Sequence, residues 1–416
     1  MPLTRGPVSG IEGRAPIKRL MAHFPLSWLQ ALLFLIAGLV RPFGRLRIGL
    51  LHHRSLGRLC ANTEYYFRRT VFEKPPCLEF PILVSGTPVN RQILKMIARH
   101  GRVIESDRLW ALLDAVRRRS SDSSLWINLS RTGYFDWQAW IAPGSQLAFT
   151  PDEHVRGRAL LRAMGIPEGA SYVCFCARDK TYTDSPDFVR PPDVHWSYND
   201  FRDCDIATYL PAVEQLVEQG LWAVRTDRTA ERPLPITAQR IIDYTCDVRP
   251  HQDNPDFADV YLQAHCKFFL GCGKSTYLFS SIFDVPFAFA NAVPLGEVGR
   301  MPHDGAIPKK YRDVASGELV PFRCLIERGA DTDRLTYQQL DALVADGIEI
   351  VDNTADEIRE FTMEMNDRLD GIWEPDADDQ ELQDRYRALF PPDHLVSDIP
   401  SWIGAAFLRR HRDLLG

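Results

Sequence analysis

The chain has 416 residues, 45 % hydrophobic and 25 % charged, with a net charge of −6. That composition is ordinary for a globular protein, and the length suggests two domains or three. The acidic balance makes nucleic acid an unfavoured partner, but the charge is uneven: residues 1–50 hold seven Lys/Arg against Glu12 alone, a balance of +6, so the remainder carries −12.

The first marked segment is Leu26 to Val40, whose last ten residues, Ala31 to Val40, have no polar side chain. Spanning a bilayer takes about 20 apolar residues, and this run is shorter. Lys18 and Arg19 precede it; Arg41, Arg45 and Arg47 follow. Two readings fit: a helix lying on the inner face of the cytoplasmic membrane, or a helix packed on the protein. The nine cysteines are odd in number and contain no CxxC pair. They read as free core thiols in a reducing, cytoplasmic compartment, Cys174 and Cys176 among them.

Leu46 to Leu51 reads as the first strand, opening into His52-His-Arg-Ser-Leu-Gly57 and a helix through Asn62, Glu64, Tyr65 and Arg69. Phe80 to Val84 is the next strand, Asn90 to His100 a helix closed by Gly101, and Val103-Ile104 a short strand. Ser106 caps a helix through Trp110, Leu113 and Val116. Repeated strand–helix alternation argues for a parallel sheet covered by helices. Residues 120–147 are less regular and aromatic (Trp126, Tyr134, Phe135, Trp137, Trp140), and read as core filling. Thr150-Pro-Asp-Glu153 starts a helix with a capping box and ends it at Gly165. A linker at Ile166 to Ala170 places the domain boundary at 168/169.

The alternation then restarts. Ser171 to Ala177 is a strand running into Arg178-Asp179, and Asp179 to Tyr198 a loop. A helical period runs from Ile206 to Val217 and stops at Gly220. Leu221 to Val224 is a strand ending in Arg225, and Ile241 to Tyr244 another. Phe257, Val260, Tyr261 and Ala264 share a helix face, and Val285 to Ala290 is a further strand. The acidic stretch Asp352 to Asp384 reads as surface helix, and the tail from Trp402 as a helix with a basic face of Arg409, Arg410 and Arg412.

Between these lies Lys267-Phe-Phe-Leu-Gly-Cys-Gly-Lys-Ser-Thr-Tyr277: strand, glycine loop, helix start. That grammar holds phosphate, because free amides and the helix dipole point at the ligand. Gly271 and Gly273 let the backbone come close; Lys274 adds charge, and Ser275 and Thr276 add hydroxyls. It is not a Walker A loop, since Phe268 stands where that motif needs glycine. The competing reading is a turn built small for packing. Ligands of parallel sheets bind beyond the carboxyl ends of strands. Arg54, Gly57, Arg178, Arg225 and the 271–276 loop all fall at such ends, and arginines with loop amides suit a diphosphate. Asp203-Cys-Asp205 reads as helix capping rather than a metal pair, and no spaced His/Cys cluster asks for an obligatory metal. His53 and Glu64 are the acid/base candidates, with Arg54, Gly57 and Asn62 on the acceptor side.

Four runs carry a resemblance: Arg47 to Tyr65, Cys174-Phe-Cys-Ala-Arg-Asp179, Phe201-Arg-Asp-Cys-Asp-Ile-Ala-Thr-Tyr-Leu210, and Asp259 to Gly273. Together they resemble a family of predicted bacterial glycosyltransferases of the GT-B kind that occur with surface-polysaccharide genes. The likeness spans most of residues 45–415. It implies an α/β protein with two Rossmann-like domains facing a central cleft: 45–168 for the acceptor, 169–395 for a nucleotide-sugar co-substrate, and a C-terminal helix at 396–416. Residues 1–44 lie outside it. The acceptor it implies is a glycan or a lipid-linked glycan, and such enzymes usually need no metal cofactor. Lys274 departs from the family's small residue at that place. A kinase-like nucleotide enzyme and a non-catalytic membrane scaffold of the same fold are the rival readings.

Overall fold

A computed structural model describes residues 26–75, 77–120, 124–129, 136–181, 200–235, 238–273, 275–329 and 337–416. The chain forms two compact units. The smaller takes the chain up to Arg54, then Pro75–Pro88 and Ala98–Leu129; the larger takes Ser55–Lys74, Val89–Ile97 and Ser130–Gly416. This division does not follow the 168/169 line expected from the linker. The helices Thr63–Glu73, Arg91–Ile97 and Pro151–Ala163 all count with the larger unit.

In the smaller unit β1 (Arg45–Leu50), β2 (Glu79–Ser85) and β3 (Arg102–Glu105) pair in parallel in that order. A single parallel bridge from Ile48 to Trp126 adds a fourth edge beside β1. Ile48, Leu50, Val84, Leu113, Val116, Leu125 and Trp126 close the core, with the Leu26–Val40 and Asp107–Arg117 helices over it. Ser106 caps the second of these as expected, its hydroxyl accepting from the Leu109 amide.

The larger unit is built on β4 (Tyr172–Phe175), β5 (Trp222–Arg225), β6 (Ile241–Asp243), β7 (Phe269–Gly271), β8 (Phe287–Ala292), β9 (Gly305–Pro308) and, last in sequence, Trp402–Ile403. Two further strands, β10 (Lys310–Asp313) and β11 (Ile348–Val351), form an antiparallel pair beside it, which makes Trp402–Ile403 β12. The main sheet is parallel throughout, in the order β12-β9-β8-β7-β4-β5-β6. Counted from β4, that is the doubly wound order 3-2-1-4-5-6 with one strand added. β4, β7, β8 and β9 are buried along their whole length, as apolar strands covered on both faces must be. The expected α/β parallel fold is thus present, and the order reverses between β4 and β7.

Sequence signals set most of the helices. Thr150 and Glu153 form the reciprocal capping box, and Gly165 takes the left-handed backbone (φ +84°) after the helix. The acidic 352–384 stretch contains two helices, Ala355–Asp370 and Asp379–Arg387, but the first is not a surface helix: Ile358, Phe361 and Met365 are buried. Its acidic neighbours also account for the tail. Arg409 pairs with Asp376 and Asp379, Arg410 with Glu360, and Arg412 with Asp378, so the expected basic face is neutralised. β9, β10, β11 and β12 were not expected: Gly305 and Pro308 at the ends of β9 read as turn residues, and Trp402–Ile403, read as helix, pairs with β9 as strand before the helix Ala405–Arg410 begins.

Candidate functional site

In sheets of this kind the reversal of strand order marks where ligands bind, here beyond the carboxyl ends of β4 and β7. After β4 come Cys176, Ala177 and Arg178; after β7 come Cys272 and Gly273. The two turns are tied together. The Arg178 amide donates to Cys272 Sγ at 3.1 Å, and Cys176 Sγ lies 3.8 Å from Thr276 Oγ1. Three cations gather here. Arg178, 7 % exposed, donates to Asp203 Oδ1; Arg202 donates from its guanidinium to the Gly273 carbonyl; Lys309 Nζ donates to the Asp203 carbonyl at 2.8 Å and pairs with Asp352 at 2.5 Å. Asp203 Oδ2 is buried with no partner. Burial pushes the Asp203 carboxyl up, against the pull of Arg178. Burial likewise lowers Arg178, with Asp203 opposing and the charge of Arg202 adding to the fall.

The glycines differ in what they do. A Cβ on Gly273 would sit 3.2 Å from Arg202 Nε and 3.4 Å from the Phe289 ring, so glycine lets the guanidinium lie over the loop. A Cβ on Gly271 would meet the Phe269 ring at 2.6 Å and the Cys176 carbonyl at 3.2 Å. Gly271 therefore serves close packing at the strand end. The helix expected after the loop is a 3-10 turn, Ser275–Tyr277, and one α-turn, Leu278–Ser281. Seven residues make a small dipole, so the positive charges near this loop are those of side chains rather than of a helix end. Lys274 lies outside the described residues, as does the placement of the Ser275 side chain. Arg225 belongs elsewhere: 3 % exposed, it donates to the Arg232 carbonyl at 2.8 Å and to Asp243 at 3.2 Å, bracing the β5–β6 edge. Asp203 and Asp205 part ways. Asp205 caps the Ile206–Tyr209 turn as expected, accepting from the Ala207 amide, while Asp203 serves Arg178.

Glu64, expected as an acid/base group, has no oxygen left to offer. Oε1 accepts from Arg68 Nε at 2.7 Å and from the Gln146 amide at 2.7 Å, and Oε2 accepts from the Leu147 amide at 3.2 Å. Its helix begins as a π-turn, Arg58–Asn62, in which Asn62 is buried; Gly57 precedes it, half-buried.

His53 sits at the carboxyl ends of the smaller unit's sheet. Its ring is 4 % exposed, edge-on to Trp110 at 5.1 Å between centroids. Nδ1 is 3.3 Å from the Leu51 carbonyl, and Nε2, with no hydrogen-bond partner, is 3.6 Å from Asp107 Oδ1. A proton on Nδ1 leaves Nε2 as the basic nitrogen. Burial lowers the imidazole below its ordinary value, Arg54 lowers it further, and Asp107 raises it. Asp107 is fixed by Thr87, whose amide and hydroxyl donate at 3.2 and 3.0 Å. A Cβ on Gly86 would fall 2.2 Å from Asp107 Oδ1 and 2.4 Å from His53 Nε2, so only glycine allows this approach. Arg54 is exposed in the same unit. Asp107, Arg202 and Lys309 were not expected. Asp107 reads as a first-turn helix acid, and Lys309 follows a strand the sequence hides; Arg202 lies within the quoted run Phe201 to Leu210.

No family model and no curated protein matches the chain. Several solved structures overlay in part. The glycosyl transferase family 9 protein from Veillonella parvula DSM 2008 is 9 % identical, with 58 % of this chain and 80 % of that one covered at a TM-score of 0.37. The E. coli ADP-heptose lps heptosyltransferase II is 12 % identical, with 72 % and 99 % covered at 0.37. E. coli heptosyltransferase WaaC with ADP is 13 % identical, with 72 % and 97 % covered at 0.28.

Proposed function

We propose that this protein is a glycosyltransferase that moves a sugar from a nucleotide-diphosphate donor to a glycan or lipid-linked acceptor, in polysaccharide or cell-envelope biosynthesis. The observation that carries the proposal is the switch point of the doubly wound sheet, where Arg178, Arg202 and Lys309 gather around the Gly273 turn. The resemblance of the runs at 174–179, 201–210 and 259–273 supports the same reading, because these runs supply that turn and two of its cations.

In the transfer, an acceptor hydroxyl oxygen bonds to the anomeric carbon while the bond from that carbon to the diphosphate oxygen breaks. The electron pair leaves with the diphosphate, and the hydroxyl proton must go to a base. Charge builds on the diphosphate oxygens, where preorganised cations lower the barrier most. Arg202 and Arg178 have the planar donors for it, and Lys309 a point charge. Thr276 and the 271–275 segment are assigned to the same diphosphate, with Lys274 adding charge. The proton is assigned to His53 Nε2, with Arg54 as an acceptor candidate in the same unit. Gly57, just before the π-turn, and Asn62, within it, are kept as acceptor candidates in their own unit. The reaction is proposed to need no obligatory metal. The nine cysteines, all free, fit a reducing cytoplasmic compartment.

Calorimetry tests the donor site. Nucleoside diphosphates and UDP-, GDP-, ADP-, CMP- and dTDP-sugars are titrated into the full chain, with and without EDTA. One nucleotide class should bind in both conditions. Arg202→Gln and Lys274→Ala should each weaken it roughly ten- to a hundredfold, the worth of one charge-assisted hydrogen bond. Unchanged affinity in both variants would remove the loop from the site. Turnover of ATP with magnesium, and no sugar transfer, would instead favour a kinase.

A further inference from the structure

The Leu26–Val40 helix turns two apolar faces in opposite directions. Leu29, Leu33, Phe34 and Ala37, with Leu26, pack on the core of the smaller unit. Trp28, Leu32, Leu35, Ile36 and Leu39 are exposed at 68, 51, 61, 39 and 69 %. At 3.6 residues per turn those five fall within about 100° of arc, centred roughly 140° from the middle of the packed set. The exposed surface does not stop with the helix. Phe43 follows it at 77 % exposure; Leu78, 64 % exposed, accepts at its carbonyl from the Arg45 amide at 2.8 Å, and the Phe80 ring lies against Gly44. A stripe of five exposed apolar side chains on one helix face, followed by Phe43, marks an interaction surface, whereas scattered exposed side chains do not.

The chemistry around the patch selects its occupant. Arg41 and Arg45 are exposed at its edge, in the basic first 50 residues of an otherwise acidic chain. Two copies meeting through this face would bring those arginines together. A lipid surface bearing anionic headgroups would pair them and take up the Trp28, Leu35 and Leu39 side chains. The helix has 15 residues, about 22 Å at 1.5 Å per residue, against a hydrocarbon core of about 30 Å. No helix among the described residues is long and apolar enough to cross a membrane. We propose that the smaller unit docks on an anionic membrane surface through the exposed face of the Leu26–Val40 helix, lying in the interface and not across it. Tryptophan at one end of the stripe and arginines at the other are what such a position takes.

Sedimentation of the full-length protein with vesicles tests this directly. Wild type should pellet with phosphatidylcholine vesicles containing phosphatidylglycerol, and roughly 25-fold less with phosphatidylcholine alone. Trp28→Gln/Leu35→Gln/Leu39→Gln removes exposed side chains only, and its melting curve should match wild type. Its partitioning should fall at least a hundredfold, since each buried anchor is worth roughly tenfold or more. Arg41→Gln/Arg45→Gln should cost roughly fivefold per charge on anionic vesicles and nothing on neutral ones. Wild-type protein left in the supernatant with both vesicle types would overturn the proposal. So would undiminished binding by the triple variant. Concentration-dependent dimerisation without vesicles, abolished in the triple variant, would assign the face to a second copy of the chain.

Discussion

His53 carries a basic nitrogen that is sealed from water, beside a carboxylate held in place by Thr87. Because burial disfavours the imidazolium, its titration by NMR should fall below the ordinary 6.5, and Asp107→Asn should move it lower still by removing the charge that raises it. A midpoint at or above 6.5, or an upward move in the variant, would contradict this geometry. The same direction makes His53 a pH liability: its share of stability is present above 6.5 and lost as pH falls through its folded value. Glu357 gives a second residue-level forecast. Burial pushes its carboxyl up, but His411 at 2.6 Å, Lys310 at 2.5 Å and the Thr354 amide at 2.7 Å outweigh that and hold it at about 2. Its contribution, on the order of 3 kcal/mol, is present above about pH 4.5 and lost as pH falls towards 2. Glu357→Gln should flatten that limb of the stability–pH curve and lower stability at pH 7 by about 3–5 kcal/mol. Both groups show what one sequence can disclose of a site. His53 was legible as a histidine after a strand, whereas its partner Asp107 was not, because 54 residues separate two carboxyl-end loops that only the strand order joins. Glu64 misled for the opposite reason: an acid near a loop looks available until the amides of Gln146 and Leu147 are found on it.

At the scale of elements, the Pro151–Ala163 and Pro255–Ala264 helices approach closely at Gly157, where a Cβ would lie 1.9 Å from the Tyr261 ring. Gly157→Ala should therefore destabilise by about 1–3 kcal/mol despite its better helix propensity, a loss read from urea unfolding. A neutral or stabilising result would mean that Tyr261 swings aside freely. The capping box at Thr150, the cap at Ser106 and the glycine stops at 165 and 220 were all readable, because each is a local device written within four residues. β10 was not readable. Its Lys310 looks like a surface residue, and it is buried only because Glu357, 47 residues on, receives it. The helix after Gly273 was overread for a related reason: apolar spacing through Ile282 fixes which residues are buried, not how many turns stay helical.

For the whole molecule, the course of the chain matters most. It passes between the two units five times before residue 130 and never afterwards. The linker-like stretch at 166–170 lies inside the larger unit. A truncated chain of residues 169–416 lacks the Thr63–Glu73, Arg91–Ile97 and Pro151–Ala163 helices of its own unit. It should lack a cooperative melting transition, whereas the full chain should show one. A well-dispersed NMR spectrum from the truncated chain would refute this.

Arg68 extends that consequence to the ribosome. Its guanidinium is fully buried, between Glu64 four residues back, the Trp140 carbonyl, and the Ile282 carbonyl and Asp284, 214 and 216 residues further along. At about 5–20 residues per second, that separation is roughly 10–40 s of translation. Throughout that interval a cation destined for the deepest part of the protein must stay hydrated at the mouth of the exit tunnel. Early compaction of the nascent chain around it would be a trap, and the larger unit can close only after its last partners have been synthesised.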